Sequence, residues 1–465
     1  MINPAIFKAY DIRGIYGKDI DENNIQDIVK AIYTYMVKYI GKSPLSIGLS
    51  HDMRISSPTL YKHAKEALIE LGAHVKEIGL ASTPTMYFAV LKHNLDIGIQ
   101  ISASHNPKEY NGLKIVRRDG EKVYKIGKTT GMADVKDIAI SKQFLPATSG
   151  GTVETLNNVL DEEIKSAVDA IKPSHIKKLR IVADPANAIA SLYLDKLALL
   201  YPIELVRMNW ELDGTFPNHQ ASPLEPKNTI DLQKRVLEEK ADLGIAPDGD
   251  ADRVMFVNEK GIVISPTMIT ALVANEILKD NLGSEILVDI RYLRNSQYIT
   301  QKLGGKIGIS AVGHALITEQ LNREGGIFAG ESSGHYFFKA TGGAESAVRV
   351  VLYVLEVMSR ESKTISEILK AYQSSYESGE FNFVLKEGTN AQEVFQMIEK
   401  KYNDGELSTL DGIAISYTDW RFGVRSSNTE PLLRLNVESA TEQMTKEKLK
   451  ELSELILATG AHAHE

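Results

Sequence analysis

Four short segments of this 465-residue chain gather the residue types that do chemistry. In Ser102-Ala103-Ser104-His105-Asn106-Pro107 a hydroxyl stands among small neighbours beside an imidazole, in a turn that Pro107 stiffens. The alternation Ile97, Ile99, Ile101 before it reads as a half-buried strand. Ser104 therefore comes at the C-terminal end of a strand, where α/β sheets place ligands. His105 can orient or assist that hydroxyl, and Lys114, on the strand expected over 112–116, can aim a charge at it. The competing reading is a polar turn whose Ser and Asn bond the backbone.

Asp248-Gly249-Asp250-Ala251-Asp252-Arg253 spaces three carboxylates at i, i+2 and i+4, which an extended segment projects to one side. Three hard oxygens crowded together repel unless a cation joins them, so the spacing points to Mg²⁺. Arg253 can offset remaining charge or grip a substrate. The spacing also imitates an EF-hand loop, with Glu259 in the twelfth position. Arg253 then takes the sixth position, which in that loop must be Gly, and both flanks read as strands. Gly330-Glu331-Ser332-Ser333-Gly334-His335 bends a carboxylate, two hydroxyls and an imidazole together, groups that bond sugar hydroxyls. Arg425-Ser426-Ser427-Asn428-Thr429-Glu430-Pro431 offers a guanidinium fork with hydroxyl, amide and backbone donors, either a phosphate cradle or a polar hairpin loop.

The elements that must hold these segments alternate between strand and helix patterns, the sign of α/β layering. Strands are expected over 45–49, 96–102, 179–183, 203–208, 241–246 and 285–289. Helices are expected over 57–71, 83–93, 188–200, 229–240, 267–278 and 346–359, with Ser57-Pro58 as a cap and first residue. The C-terminal part differs, with short strands at 413–417 and 421–425, alternation at Leu433, Leu435 and Val437, and then an amphipathic helix bearing Leu449, Leu452, Leu455 and Ile456. This gives three α/β units and a smaller α+β unit: 1–148 with the serine loop, 149–254 with the acidic loop, 255–370 with the third loop and 371–465 with the fourth. Gly150-Gly151 marks the first linker, and the third unit is expected to begin around Phe256.

Hydrophobic residues make up 43% and charged residues 25%, an ordinary globular balance that argues against disorder. The net charge of −8 offers no basic surface for nucleic acid or anionic membrane. With no cysteine, disulfides, thiolate metal sites and Cys nucleophiles are all excluded. The N-terminus lacks the pattern of a secretory signal, and Arg349 and Glu356 interrupt the most apolar long segment, so a cytoplasmic protein is expected.

In this order and at these separations, the four loops resemble the α-D-phosphohexomutase family, in its bacterial phosphomannomutase/phosphoglucomutase branch. Phe7-Lys8-Ala9-Tyr10-Asp11-Ile12-Arg13-Gly14 and Phe216-Pro217-Asn218-His219 match that family too, and the likeness covers essentially the whole chain. It implies four domains around a central cleft, each supplying one loop. It implies that Ser104 is phosphorylated at rest, and that Asp248, Asp250 and Asp252 hold Mg²⁺ together with a phosphoserine oxygen. Glu331 and Ser333 would contact sugar hydroxyls, while Arg425, Ser427, Asn428 and Thr429 would hold the phosphate that is not reacting. Tyr10, Arg13, His105, Lys114, Arg253, His314 and His335 match positions lining the cleft, with His105, Lys114 and His335 as proton-transfer candidates. The implied reaction interconverts hexose 6-phosphate and hexose 1-phosphate of mannose or glucose, through a hexose 1,6-bisphosphate, in a monomer or homodimer. Where relatives often carry an acidic Asp-Gly segment after the third loop, this chain has Ala340-Thr341-Gly342-Gly343-Ala344-Glu345. Rival readings are a phosphoglucosamine mutase, which Asn428 disfavours because those relatives carry Gly there, a metal-dependent phosphatase, and a non-catalytic phosphosugar- or calcium-binding protein.

Overall fold

The computed structural model describes residues 2–386, 390–426 and 432–464. Its strands form four sheets, and the first three repeat one plan. In the first, Ser46–His51 lies between His74–Leu80 and Ile97–Ile101, all parallel, and Tyr110–Asp119 returns antiparallel beside Ile97–Ile101. In the second, Leu179–Ala183 lies between Ile203–Arg207 and Leu243–Pro247, with Val254–Asn258 antiparallel beside the latter. In the third, Glu285–Asp289 lies between Lys306–Ser310 and Phe328–Gly330, followed by antiparallel Tyr336–Phe338. Each sheet thus reverses direction after its third parallel strand, and the serine, acidic and third loops are those three reversals. In each of these sheets the first parallel strand lies between the second and the third, so the chain order reverses across it, and ligands bind outside the strand C-termini at such a switch point. The fourth sheet is antiparallel, with Trp420–Ser426 and Leu432–Ser439 flanking the fourth loop and the helix Glu442–Leu457 packed on it.

Ile97–Ile101 is buried along its whole length, not half-buried, because helices cover both faces. Its second face packs so closely on the helix Thr83–Lys92 that a side chain on Gly98 would sit 2.3 Å from the Met86 sulfur. The first sheet also extends beyond residue 148: Thr152–Thr155 pairs with His74–Leu80 once the chain has passed Gly150-Gly151. Likewise Val254–Asn258, holding Phe256, and Val263–Ile264 belong to the second sheet, because the acidic loop is a hairpin and the strand after it must return to the sheet it left. At the helix Ser57–Glu70, Ser56 is the cap position, and Ser57 Oγ turns away to donate to Asp52 at 2.6 Å.

The second and third units share one core. Val348, Val351, Leu352 and Leu355 of the helix Ala347–Glu361 pack among Ile164, Ile181 and Phe256 from the second unit and Ile269, Leu272 and Phe328 from the third. Among the described residues no helix is long and apolar enough to cross a membrane.

Candidate active site

Ser104 adopts a left-handed backbone conformation, φ +50°, which costs a non-glycine residue about 1–2 kcal/mol. Arg54 holds it there. This fully buried guanidinium donates to the carbonyls of Ser104 (2.7 Å), Asn106 (2.6 Å), Pro107 (2.8 Å) and Tyr110 (2.9 Å), and lies 3.3 Å from Asp52. The Ser104 amide donates to Ser102 Oγ at 2.9 Å, closing the turn from inside. Arg54 was missed from sequence, although it stands just past the C-terminal end of Ser46–His51, in the same crevice-forming position that drew attention to Ser104. Phe216 of the second unit covers its guanidinium at 5.0 Å.

The acidic loop meets this turn directly. Gly249 approaches so closely that a Cβ there would stand 2.3 Å from the Ser104 carbonyl oxygen. Ser104 Oγ donates to Asp248 Oδ2 at 2.8 Å and lies 3.2 Å from His105 Nδ1. The three aspartates are not gathered by an extended segment. Ala251 is left-handed, φ +62°, and its amide bonds the Asp248 carbonyl, so a tight turn brings the carboxylates to within 4.8 Å of one another, all buried. Leu243–Pro247 and Val254–Asn258 pair antiparallel on either side, which removes the EF-hand reading.

Lys114 bridges Asp250 (2.6 Å) and Asp252, so its charge serves the aspartates and not Ser104. Burial works against its ammonium, yet Asp250 and Asp252 hold its pKa well above the ordinary lysine value. Arg253 pairs with Asp248 at 3.2 Å and donates to His105. Arg13 pairs with Asp11 at 2.6 Å and reaches Asn106 of the serine loop. Burial, with the cations Arg253, Arg13 and Lys114, keeps the pKa of His105 well below the usual imidazole value. Burial beside Asp252 and Asp250 pushes the Asp248 carboxyl up to about 7. Thr83 donates to Asp250 Oδ2 at 2.5 Å, whereas Asp250 Oδ1 is buried without a hydrogen-bond partner. A buried carboxylate oxygen left without a donor, in a set of three carboxylates within 4.8 Å of one another, fits a divalent cation such as Mg²⁺.

The third loop closes on the other side. The Val254 amide donates to the Gly334 carbonyl at 3.1 Å, and His335 Nε2 lies 3.4 Å from Asp252. His335 Nδ1 is 2.8 Å from Glu331, which also accepts from Ser333 at 2.7 Å and from the Gly313 amide at 3.0 Å. Burial pulls the His335 pKa down, but Asp252 and Glu331 more than offset this and hold it at about 9, so its ring is cationic at neutral pH. His314 stacks on His335 with ring centroids 5.6 Å apart, and Tyr10 meets His314 edge-on at 5.3 Å.

Arg425 is buried and pairs with Glu380 at 3.0 Å; Arg291 links Glu380 (3.8 Å) to Glu331 (3.6 Å), so charged contacts run from the third loop toward the fourth. Ser427, Asn428 and Thr429 lie outside the described residues. The first three loops therefore meet around Ser104 and the aspartates, with Tyr10, Arg13, His314 and His335 beside them.

Three parallel-strand reversals delivering serine, aspartates and a Glu-Ser-His segment to one place define a phosphoryl-transfer site of recognisable descent. Residues 4–130, 160–261, 265–376 and 380–455 match, in order, the three α/β/α domains and the C-terminal domain of phosphoglucomutase/phosphomannomutase. The chain belongs to this family and is an enzyme of the isomerase, phosphotransferase type, a hexose phosphate mutase. It is 34% identical over 460 residues to a phosphomannomutase of Vibrio cholerae, covering 97% of this chain and 98% of that one. A phosphomannomutase of Methanocaldococcus jannaschii is 34% identical over 461 residues, with 98% of each chain covered. The crystal structure of a phosphoglucomutase/phosphomannomutase family protein from Burkholderia thailandensis superposes with a TM-score of 0.88 at 28% identity, covering all of both chains.

Proposed function

We propose that this enzyme interconverts the 6- and 1-phosphates of mannose or glucose through a phosphorylated Ser104. The observation that carries this reading is the contact of Ser104 Oγ with Asp248 inside a buried aspartate cluster. In the forward step the Oγ–P bond breaks and a new O–P bond forms to the free hydroxyl of a hexose monophosphate; the hydroxyl's proton passes to a basic group of the cleft, and Ser104 Oγ takes up a proton as it leaves. The resulting 1,6-bisphosphate turns over within the cleft and returns its other phosphoryl group to Ser104. A phosphoserine carries roughly −1.5 to −2 charges at neutral pH, so an anionic substrate approaches it only among cations. Lys114, Arg13 and Arg253 supply them here. Asp248, Asp250 and Asp252, with an oxygen of the phosphoserine, would hold Mg²⁺, which would neutralise charge on the transferring group.

The imidazoles divide the proton work. His105, kept neutral, can accept a proton near Ser104, and His335, kept charged, can donate, whereas Lys114, whose proton Asp250 and Asp252 hold tightly, serves as a fixed charge and not as a donor. Glu331 and Ser333 bond sugar hydroxyls, and Tyr10 and Arg253 flank the sugar. Arg425, with Ser427, Asn428 and Thr429, cradles the phosphate that is not reacting, accepting either end of the sugar in turn. The substrate is thus a small phosphosugar handled in the cytoplasm, with no nucleic acid or membrane involved.

Coupled assays with mannose 1-phosphate and glucose 1-phosphate, primed by hexose 1,6-bisphosphate, test this reading. Isomerisation well above phosphate release is expected. Phosphate release without isomerisation, or turnover confined to glucosamine phosphate, would contradict it. Calorimetric titration with Mg²⁺ gives a readout independent of turnover, and Asp250→Asn is expected to weaken that binding at least tenfold.

A further inference from the structure

Lys125 ends the strand Lys122–Lys125 of the first unit and is buried where that unit meets the third. Its Nζ lies 2.7 Å from Nδ1 of His314 and forms an ion pair with Glu345, both side chains almost wholly buried. The rings of Tyr87 and Phe337 stand 5.5 and 5.3 Å from the ammonium. An ammonium has three N–H donors and no acceptor. In its contact with Lys125, His314 Nδ1 must therefore accept, which leaves the ring neutral with its proton on Nε2. Glu345 is poised to impose the opposite arrangement. Its Oε1 lies 3.6 Å from the same Nδ1, and its Oε2 is buried without a hydrogen-bond partner. Without Lys125, that carboxylate would draw a proton onto Nδ1.

We propose that Lys125, braced by Glu345, is a positioning residue that fixes His314 as the Nε2–H tautomer, so that His314 donates a hydrogen bond to an oxygen of the bound phosphosugar. This rests on the reading of the cleft as a hexose phosphate site. The stack of His314 on His335 accommodates either neutral tautomer, so the choice between them falls to the Lys125 contact. Burial, and the ammoniums of Lys125 and Lys114, keep the His314 ring from charging.

The test is nitrogen NMR of the full-length protein labelled with ¹⁵N-histidine, in which Nδ1 and Nε2 shifts report the tautomer, with the His314 signals assigned from a His314→Gln spectrum. The wild-type protein is expected to show a neutral Nε2–H ring at pH 7. In Lys125→Met the proton is expected to move to Nδ1, and kcat/KM for hexose 1-phosphate to fall about tenfold, the scale of one hydrogen bond. Lys125→Arg, which keeps a donor, is expected to restore both. An Nδ1–H ring or an imidazolium in the wild-type protein would overturn the proposal, even if Lys125→Met does not fold. So would an unchanged tautomer in Lys125→Met, or a changed one with unchanged kcat/KM. Absence of hexose phosphate turnover by the wild-type protein would remove the functional reading instead, while the wild-type spectrum would still decide the tautomer.

Discussion

Arg54 shows how much of the nucleophile's geometry comes from a side chain that never meets substrate. Three carbonyls of the serine loop and that of Tyr110, at the start of the next strand, converge on its guanidinium, fully out of water. Removing a buried charge from such a set leaves its partners unsatisfied and costs about 3–5 kcal/mol. Arg54→Met is therefore expected to lower the melting temperature and to abolish most turnover, while Arg54→Lys, a point charge without the planar fork, recovers only part of each. Thermal unfolding alongside the mutase assay would show both effects. Ser104→Ala keeps this scaffold and is expected to lose turnover while still binding hexose phosphate in calorimetry. The residues legible from sequence were those whose chemistry is written within a few positions: Ser104 with His105, the aspartates, Glu331 with His335. Arg54, Thr83 and the destination of Lys114 were not legible, because their partners lie 50, 167 and 136 residues away and depend on which strands are neighbours.

The elements place their loops with little clearance. Gly249 meets the Ser104 backbone, so Gly249→Ala forces the acidic and serine loops apart. Overpacking of this kind costs about 1–3 kcal/mol, and turnover is expected to fall more than tenfold with a much smaller change in melting temperature. The helix Val159–Ile171 supplies a pH signature. Burial raises the Glu163 carboxyl from 4.5 to about 7, although Thr85 donates to it at 2.7 Å. The folded state holds this proton more tightly than the unfolded chain does. Its stabilising contribution is complete below about pH 4.5 and is lost as the pH rises to about 7. At ~1.4 kcal/mol per pKa unit this amounts to about 3 kcal/mol. Glu163→Gln should therefore lose less stability than the wild-type protein between pH 5 and pH 8, and equal losses in melts at the two pH values would refute this. The alternation Ile97, Ile99, Ile101 revealed the strand but not that Gly98 and Gln100 are covered as well, since a covering helix is a property of the fold. The turn at Ala251 was equally hidden, because carboxylates at alternate positions describe an extended segment as well as a bent one.

At the scale of the whole molecule, one strand order used three times accounts for the site. Each sheet turns antiparallel after its third parallel strand, and each reversal carries one of the converging loops. The α/β class and the count of units were legible in the rhythm of strands and helices. The extents of the units were less so, because Thr152–Thr155 and Val263–Ile264 are short edge strands whose sheet is chosen by pairing and not by pattern. The central claim, a phosphoryl group that resides on Ser104 and passes to sugar, is tested most directly by mass. The protein would be incubated with hexose 1,6-bisphosphate, its intact mass measured and the modified residue located by fragmentation, before and after a chase with hexose 6-phosphate. One phosphoryl group on Ser104 that leaves during the chase is the predicted result. A phosphoryl group on another residue, or equal uptake by Ser104→Ala, would contradict the account.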